Sequence, residues 1–168
     1  MKEMKNSLIV IFGVVMLLTG SLACKTDDGI ITNKNMETND STHVDTLNNQ
    51  LKIRIGSKTF TAKLFNNATV TAFKAKLPMA VSMSELNGNE KLYRFPDNLP
   101  TNASNPENIN LGDLMIYESN MLVLFYQSFP TSYSYTKLGR INNATGLAAA
   151  LAARAAGSGS VTVTFELQ

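Results

Sequence analysis

The chain of 168 residues contains one cysteine, one histidine and no tryptophan. A single Cys allows no internal disulfide and no CxxC metal or redox pair. A single His excludes a histidine-rich metal centre. Both fall early, at Cys24 and His43, so everything downstream lacks imidazole and thiol. That excludes a Ser-His-Asp triad, a thiol nucleophile and a His-ligated zinc from the rest of the chain. Charge is sparse too: 15 Lys+Arg against 13 Asp+Glu give a net of +2, too little and too scattered for a dedicated nucleic-acid binder. There is no glycine-rich phosphate loop, because Gly157-Ser158-Gly159-Ser160 leads out of an Ala-rich helix rather than into one, and a turn is the better reading. No cofactor is implied. With 44% hydrophobic and 17% charged residues, the chain still has apolar surface for one packed domain plus extensions.

The first extension reads as an address. Lys2 and Lys5 form a positive start, and residues 8–18 are an unbroken apolar run. Eleven residues are too few for a membrane span of roughly 20 but suit a signal-peptide core. Thr19-Gly20-Ser21-Leu22-Ala23-Cys24 follows. Small residues ahead of a cysteine at this place resemble the bacterial lipobox. The resemblance implies cleavage before Cys24, a diacylglycerol on its thiol and an acyl chain such as palmitate on its new amine. Two or more chains make membrane anchoring stable. Removal of residues 1–23 takes away Lys2, Glu3 and Lys5, leaving 13 basic and 12 acidic side chains, so the basic balance belongs partly to the discarded segment. Lys25-Thr26-Asp27-Asp28 resembles the surface-export signal of Bacteroidetes lipoproteins, and equally fits a solvated acidic linker. The expectation is an outer-membrane lipoprotein of the cell envelope, with the leaflet left open.

Residues 25–50 are rich in Thr, Asn and Asp without hydrophobic periodicity. Such a stretch buries too little apolar surface to offset the entropy of ordering, and it is read as a disordered tether. A flexible coil of this length spans roughly 25–30 Å. Asp40-Ser41-Thr42 and Asp45-Thr46-Leu47 resemble Bacteroidetes O-glycosylation acceptors, or are chance patterns in a Thr/Asp-rich segment. His43 lies here and is read as solvated.

Residues 51–168 read as one mainly β domain. Leu51, Ile53 and Ile55 alternate with Lys52 and Arg54, and Phe60, Ala62 and Leu64 alternate after a Gly56-Ser57 turn, which together make a hairpin. Asn67 can cap a helix with Val70, Phe73 and Leu77 on one face, ended by Pro78. Met79, Val81 and Met83 start a third strand, 86–90 turn, and residues 92–95 form a fourth. Pro96, Pro100 and Pro106 mark 96–110 as a long loop, and loops of that length are often functional. Residues 113–117 and 121–127 form a second hairpin. Met121 to Tyr126 is apolar without alternation, so both faces of that strand are covered and a helix is expected outside it. Residues 135–141 make a seventh strand, 144–156 an Ala-rich helix, and Val161, Val163 and Phe165 the last strand. Eight strands and two helices favour a closed barrel capped by a helix at each end, because closure removes exposed edges.

Three stretches, 86–91, Gly112-Asp113-Leu114-Met115-Ile116-Tyr117 and Tyr133 to Ile141, resemble the bacterial cyclophilin-like domain family over residues 51–167. The resemblance implies an eight-stranded barrel capped by two helices. It does not settle activity. Cyclophilins rotate the X–Pro bond by desolvating the prolyl amide and donating a hydrogen bond to its nitrogen, which favours the twisted state by differential binding. In that family an Arg donates, with a Phe five residues later and a Gln eight later, and a Trp and a His complete the pocket. This domain's arginines are Arg54, Arg94, Arg140 and Arg154. Leu99 stands five after Arg94 and Thr145 five after Arg140, and Trp and His are missing. No catalytic residue is carried over.

What stands out is an aromatic and hydroxyl cluster in 125–135. Phe125, Tyr126, Phe129, Tyr133 and Tyr135, with Tyr93 nearby in type, are candidate ligand contacts, or they fold back as barrel packing. Pro130 places Phe129 and Tyr133 on a loop. Arg140 is a candidate partner for a ligand carboxylate or carbonyl, or a member of a surface salt bridge. Glu85 and Glu90 flank a turn and read as solvated acids rather than as a paired-carboxylate hydrolase. The function expected is a membrane-anchored domain, held through lipidated Cys24, that binds an extended peptide or small ligand without efficient catalysis. A divergent envelope prolyl isomerase and a structural accessory of an envelope complex are the alternatives.

Overall fold

The computed structural model describes residues 49–152 and 159–168. The expected signal peptide, Cys24, the tether up to residue 48, and residues 153–156 of the second expected helix lie outside these. Ten strands are present: β1 (Gln50–Ile55), β2 (Lys58–Leu64), β3 (Met79–Leu86), β4 (Glu90–Arg94), β5 (Asn108–Ile109), β6 (Asp113–Tyr117), β7 (Met121–Phe125), β8 (Phe129–Pro130), β9 (Tyr135–Ile141) and β10 (Ser160–Leu167). Two helices are described, α1 (Ala68–Lys74) and α2 (Leu147–Ala152). Eight strands close an antiparallel barrel in the order β1-β10-β3-β4-β7-β6-β9-β2, and β5 pairs with β8 outside it. All eight strands expected from period and turns are barrel strands.

Alternation decides which side chains fill the barrel. Leu51, Ile53 and Ile55 of β1, Phe60, Ala62 and Leu64 of β2, and Val161, Val163 and Phe165 of β10 are all buried in one core, because a strand sends successive side chains to opposite faces. Gly139 is required where β9 crosses β2. A Cβ there would stand 2.5 Å from the Lys63 carbonyl oxygen, a backbone atom that cannot step aside. The pairing of β9 with β6 shifts register beside this point, between Leu114 and Met115, as a bulge does when one strand carries an extra residue.

The helices sit at opposite ends of the barrel, as expected. Asn67 caps α1: its Oδ1 accepts from Val70 N at 2.9 Å, and its Nδ2 donates to the Lys137 carbonyl at 2.9 Å. The helix ends at Lys74, one turn short of the expected Leu77, and the Leu77–Pro78 bond is cis. Phe73 points into the barrel and meets Phe165 edge-on, with ring centroids 6.1 Å apart. At the other end α2 buries Leu147 and Leu151.

One expectation is corrected. β7 is covered on both faces, but no described helix packs on its outer side. The cover is the β5–β8 ribbon with its flanking chain, which closes a second small core of Ile109, Met115, Val123, Phe125 and Tyr135, bordered by Leu92, Tyr117 and Phe129. Segment 96–110 is a long loop, as expected, apart from the two residues of β5, and it is pinned to the barrel. Phe95 and Leu99 bury themselves at the α1 end of the barrel, Thr69 donates to the Pro100 carbonyl at 2.6 Å, Ser104 bridges Tyr135, and the segment ends in β5.

Candidate functional site

The outer face of β4, β7 and β6 forms the floor of a cleft of about 360 Å³. Leu92, Met121, Val123 and Tyr117 lie along this floor. The β3–β4 turn stands at one side, with Leu86, Asn87 and Asn89. β8 and the chain after it, Phe129 to Tyr133, stand at the other. The turn is built by Asn87 and Gly88, with φ of 56° and 73°, the left-handed conformation that Asn and Gly adopt most readily. Its geometry is fixed further by the Gly88 N–H donating to the Glu85 Oε1 at 3.0 Å. The opposite wall is held by rings that meet edge-to-face or tilted. Phe125 meets Phe129 at 5.8 Å and Tyr135 at 5.5 Å, and Tyr117 meets Tyr133 at 5.9 Å and Tyr135 at 5.4 Å. Rings at these separations attract beyond their area of burial. Leu86 and Tyr133, 40% and 60% exposed, form the rims and are two of the few large apolar side chains left in solvent.

Glu90 lies in this cleft, at the first position of β4 and opposite Phe125. It is only 7% exposed, and its carboxyl has no hydrogen bond or ion pair among the described residues. Burial, and secondarily the negative charge of Glu85, push this carboxyl up to about 6. Removing water from the ionised form without replacing its hydrogen bonds has this effect. Beside it the Asn89 Oδ1 is also buried without a partner. The charge of Glu90 in turn adds to burial in raising Tyr135.

The next residue along β4 turns inward and meets the opposite circumstance. Lys91 is fully buried, with its Nζ 2.7 Å from Glu85 Oε2 and 3.2 Å from the Gly159 carbonyl. Tyr126 donates its hydroxyl to Glu85 Oε1 at 2.7 Å. Burial raises the Glu85 carboxyl, but the bonds from Lys91 and Tyr126 outweigh it and hold the group below its usual range. Burial and the bond to Glu85 push the Tyr126 phenol well up.

The expected aromatic cluster therefore divides. Phe129, Tyr133 and Tyr135 line the cleft. Phe125 supports them from beneath, fully buried. Tyr126 faces the barrel interior, and Tyr93 packs there against Phe95 with centroids 5.2 Å apart. Arg140 is away from the cleft in an ion pair with buried Asp113, the salt-bridge alternative. Arg94 bonds Asn120 at 2.8 Å, and Arg54 pairs with Glu166 at 3.0 Å; Arg154 is outside the described residues. Glu90 and Lys91 were missed as site residues. They were legible only as polar residues next to a turn, and the solvated reading of the Glu85–Glu90 pair is corrected: Glu90 is buried and Glu85 is fully engaged. Among the described residues, no group of three or more acidic, His or Cys side chains is placed to hold a metal ion.

Fold and site together define a small closed barrel with a ligand-sized cleft on its outer face. A model described as the cyclophilin-like family matches residues 53–166, and the chain belongs to that family. In solved structures it is similar to the hypothetical protein AF2241 from Archaeoglobus fulgidus, determined in solution. The identity is 20%, 73% of this chain and 97% of that one are covered, and the TM-score is 0.53; this likeness bears on the fold alone. No curated protein matches the chain.

Proposed function

We propose that the protein is a membrane-anchored cyclophilin-like lipoprotein that binds an extended peptide or a small ligand in the Glu90 cleft, without efficient catalysis. The observation that carries this reading is the cleft itself: an aromatic wall held by edge-to-face rings, exposed apolar rims at Leu86 and Tyr133, and polar atoms left without partners inside. Concave sites of this kind, mostly apolar with a few convergent polar groups, are where small ligands bind.

Family membership favours a second reading, a divergent prolyl isomerase. Cyclophilins act by offering a donor to the prolyl nitrogen from an Arg. No Arg or Lys lines this cleft. An NMR exchange measurement on an X–Pro peptide with a trace of the chain separates the two. No acceleration of cis–trans exchange, together with peptide-induced shifts at Tyr133 and Met121, is expected. Clear acceleration at substoichiometric protein would replace binding by isomerisation.

Anchoring rests on the lipobox-like residues ahead of Cys24 and is tested apart from the cleft. Cys24→Ser is expected to move the protein from the membrane fraction to the soluble one. Retention in the membrane would refute lipidation.

A further inference from the structure

The cleft contains a specific mismatch between what it buries and what it satisfies. Glu90 is an acid with more than nine-tenths of its surface removed from water, and no donor reaches it from any described residue. The nearest cation along the chain, Lys91, points through the sheet to the other side and is bonded to Glu85 and Gly159. Beside Glu90 the Asn89 Oδ1 is fully buried without a donor, whereas the unpaired Glu90 carboxylate keeps an accessible edge in the cleft. Native proteins leave few such groups unsatisfied, and each calls for a reason. Glu90 lies in a concavity lined by Tyr117, Phe129, Tyr133 and Tyr135. Aromatic faces attract organic cations electrostatically, and a carboxylate forms its strongest hydrogen bonds with charged N–H donors.

We propose that the Glu90 cleft recognises a primary ammonium group, with the Glu90 carboxylate accepting its N–H bonds and the tyrosine rings enclosing its alkyl stem. The inference rests on the binding reading above and gives that site its ligand chemistry. A lysine side chain of an extended peptide and a free alkylamine both carry the group.

Protonation should govern the site. The titratable groups around Glu90 are Glu85 from β3, Lys91 beside it, Tyr126 after β7, Tyr117 from β6, and Tyr133 and Tyr135 before and within β9. Glu85 is held low, Tyr126 and Tyr135 are pushed up, and Lys91 is bonded to Glu85. Glu90 is the acid in this group raised to about 6, so the ammonium should bind at pH 7.5 and be released as the solution falls below that value.

The test is calorimetric titration of the full chain in detergent with three probes: acetyl-Ala-Lys-Ala-amide, the same peptide with norleucine for lysine, and n-butylammonium. At pH 7.5 the lysine peptide is expected to bind at least about tenfold tighter than the norleucine peptide, a difference of about 1.4 kcal/mol. Glu90→Gln should bring the two within about twofold, as should pH 5 with the unaltered chain. If n-butylammonium binds as tightly as the lysine peptide, the source is a free amine; if it binds more weakly, the source is a peptide; both uphold ammonium recognition. Equal affinity for the lysine and norleucine peptides, with both shifting the Tyr133 and Met121 signals, would overturn the ammonium assignment and leave the binding site standing. No shift with any probe would overturn both. A measurement on the unaltered chain guards against misfolding of the variant. The saturating lysine peptide should move the Glu90 carboxyl ¹³C titration from about 6 to below about 5, as an opposite charge at contact distance does. An unmoved midpoint would refute the contact.

Discussion

The two faces of the β3–β4 pair treat a carboxylate in opposite ways. Inside the barrel, Glu85 has a fully buried lysine and a tyrosine hydroxyl within 2.7 Å, and its acidity is strengthened. Outside, Glu90 is more deeply buried yet receives nothing, and its acidity is weakened. The interior cluster is closed on itself, as a structural polar network must be, since a half-satisfied one costs more than an apolar core. The outer cluster is left open at the side where a ligand can enter. The difference separates polar groups that are paired within the fold from polar groups that the fold leaves unpaired.

Several substitutions would break or sharpen that contrast. The largest effect is expected from Phe125→Ala, which removes the fully buried ring under the cleft wall, with a loss of about 4 kcal/mol in urea unfolding and of the contacts that hold Phe129 and Tyr135. Lys91→Ala comes next. It strands Glu85 without its cation and should cost about 3 kcal/mol, while Lys91→Ala combined with Glu85→Gln should recover part of that loss.

Glu90→Gln should act in the opposite direction. In the folded chain this carboxyl is raised from 4.5 to about 6, so the folded state holds the proton more tightly than the unfolded one. Its contribution is fully present below pH about 4.5 and is lost as pH rises through about 6. At pH 7.5 the variant is therefore expected to be more stable by about 2 kcal/mol, with the gain disappearing toward pH 4. A variant that is less stable at pH 7.5 would point to a hidden donor for Glu90. Tyr126→Phe removes one of the three bonds that satisfy Glu85 and should cost about 1 kcal/mol. Tyr133→Ala, at an exposed rim, should change stability by less than about 0.5 kcal/mol while weakening ligand binding, which chemical-shift titration would detect.

The barrel was legible because its strands alternate. Leu51, Ile53 and Ile55 could face only one way, and the unbroken apolar run in β7 demanded a cover on both sides. The nature of that cover was not legible. β5 and β8 are two residues each, too short to show a period, and Pro130 argues locally against a strand; it is tolerated because the ribbon is an edge. The helix expected outside β7 was a reasonable inference from strands in layered α/β folds that the β5–β8 ribbon makes unnecessary. At the site, the aromatic cluster marked the right segment, yet side-chain direction divided it: Phe125 points outward to the second core, and Tyr126 turns inward to Glu85. The charged pair Glu90-Lys91 carried no local signal at all. The burial of Lys91 depends on Gly159, far along the chain, and that of Glu90 on the rings that follow β8.

The most direct measurement of the central contrast is a ¹³C-detected pH titration of the two carboxyls in the unliganded chain. Glu90 is expected to titrate near 6 and Glu85 below 4.5. The reverse order, or two coincident midpoints near 4.5, would contradict the division between a closed interior network and an open, unsatisfied cleft.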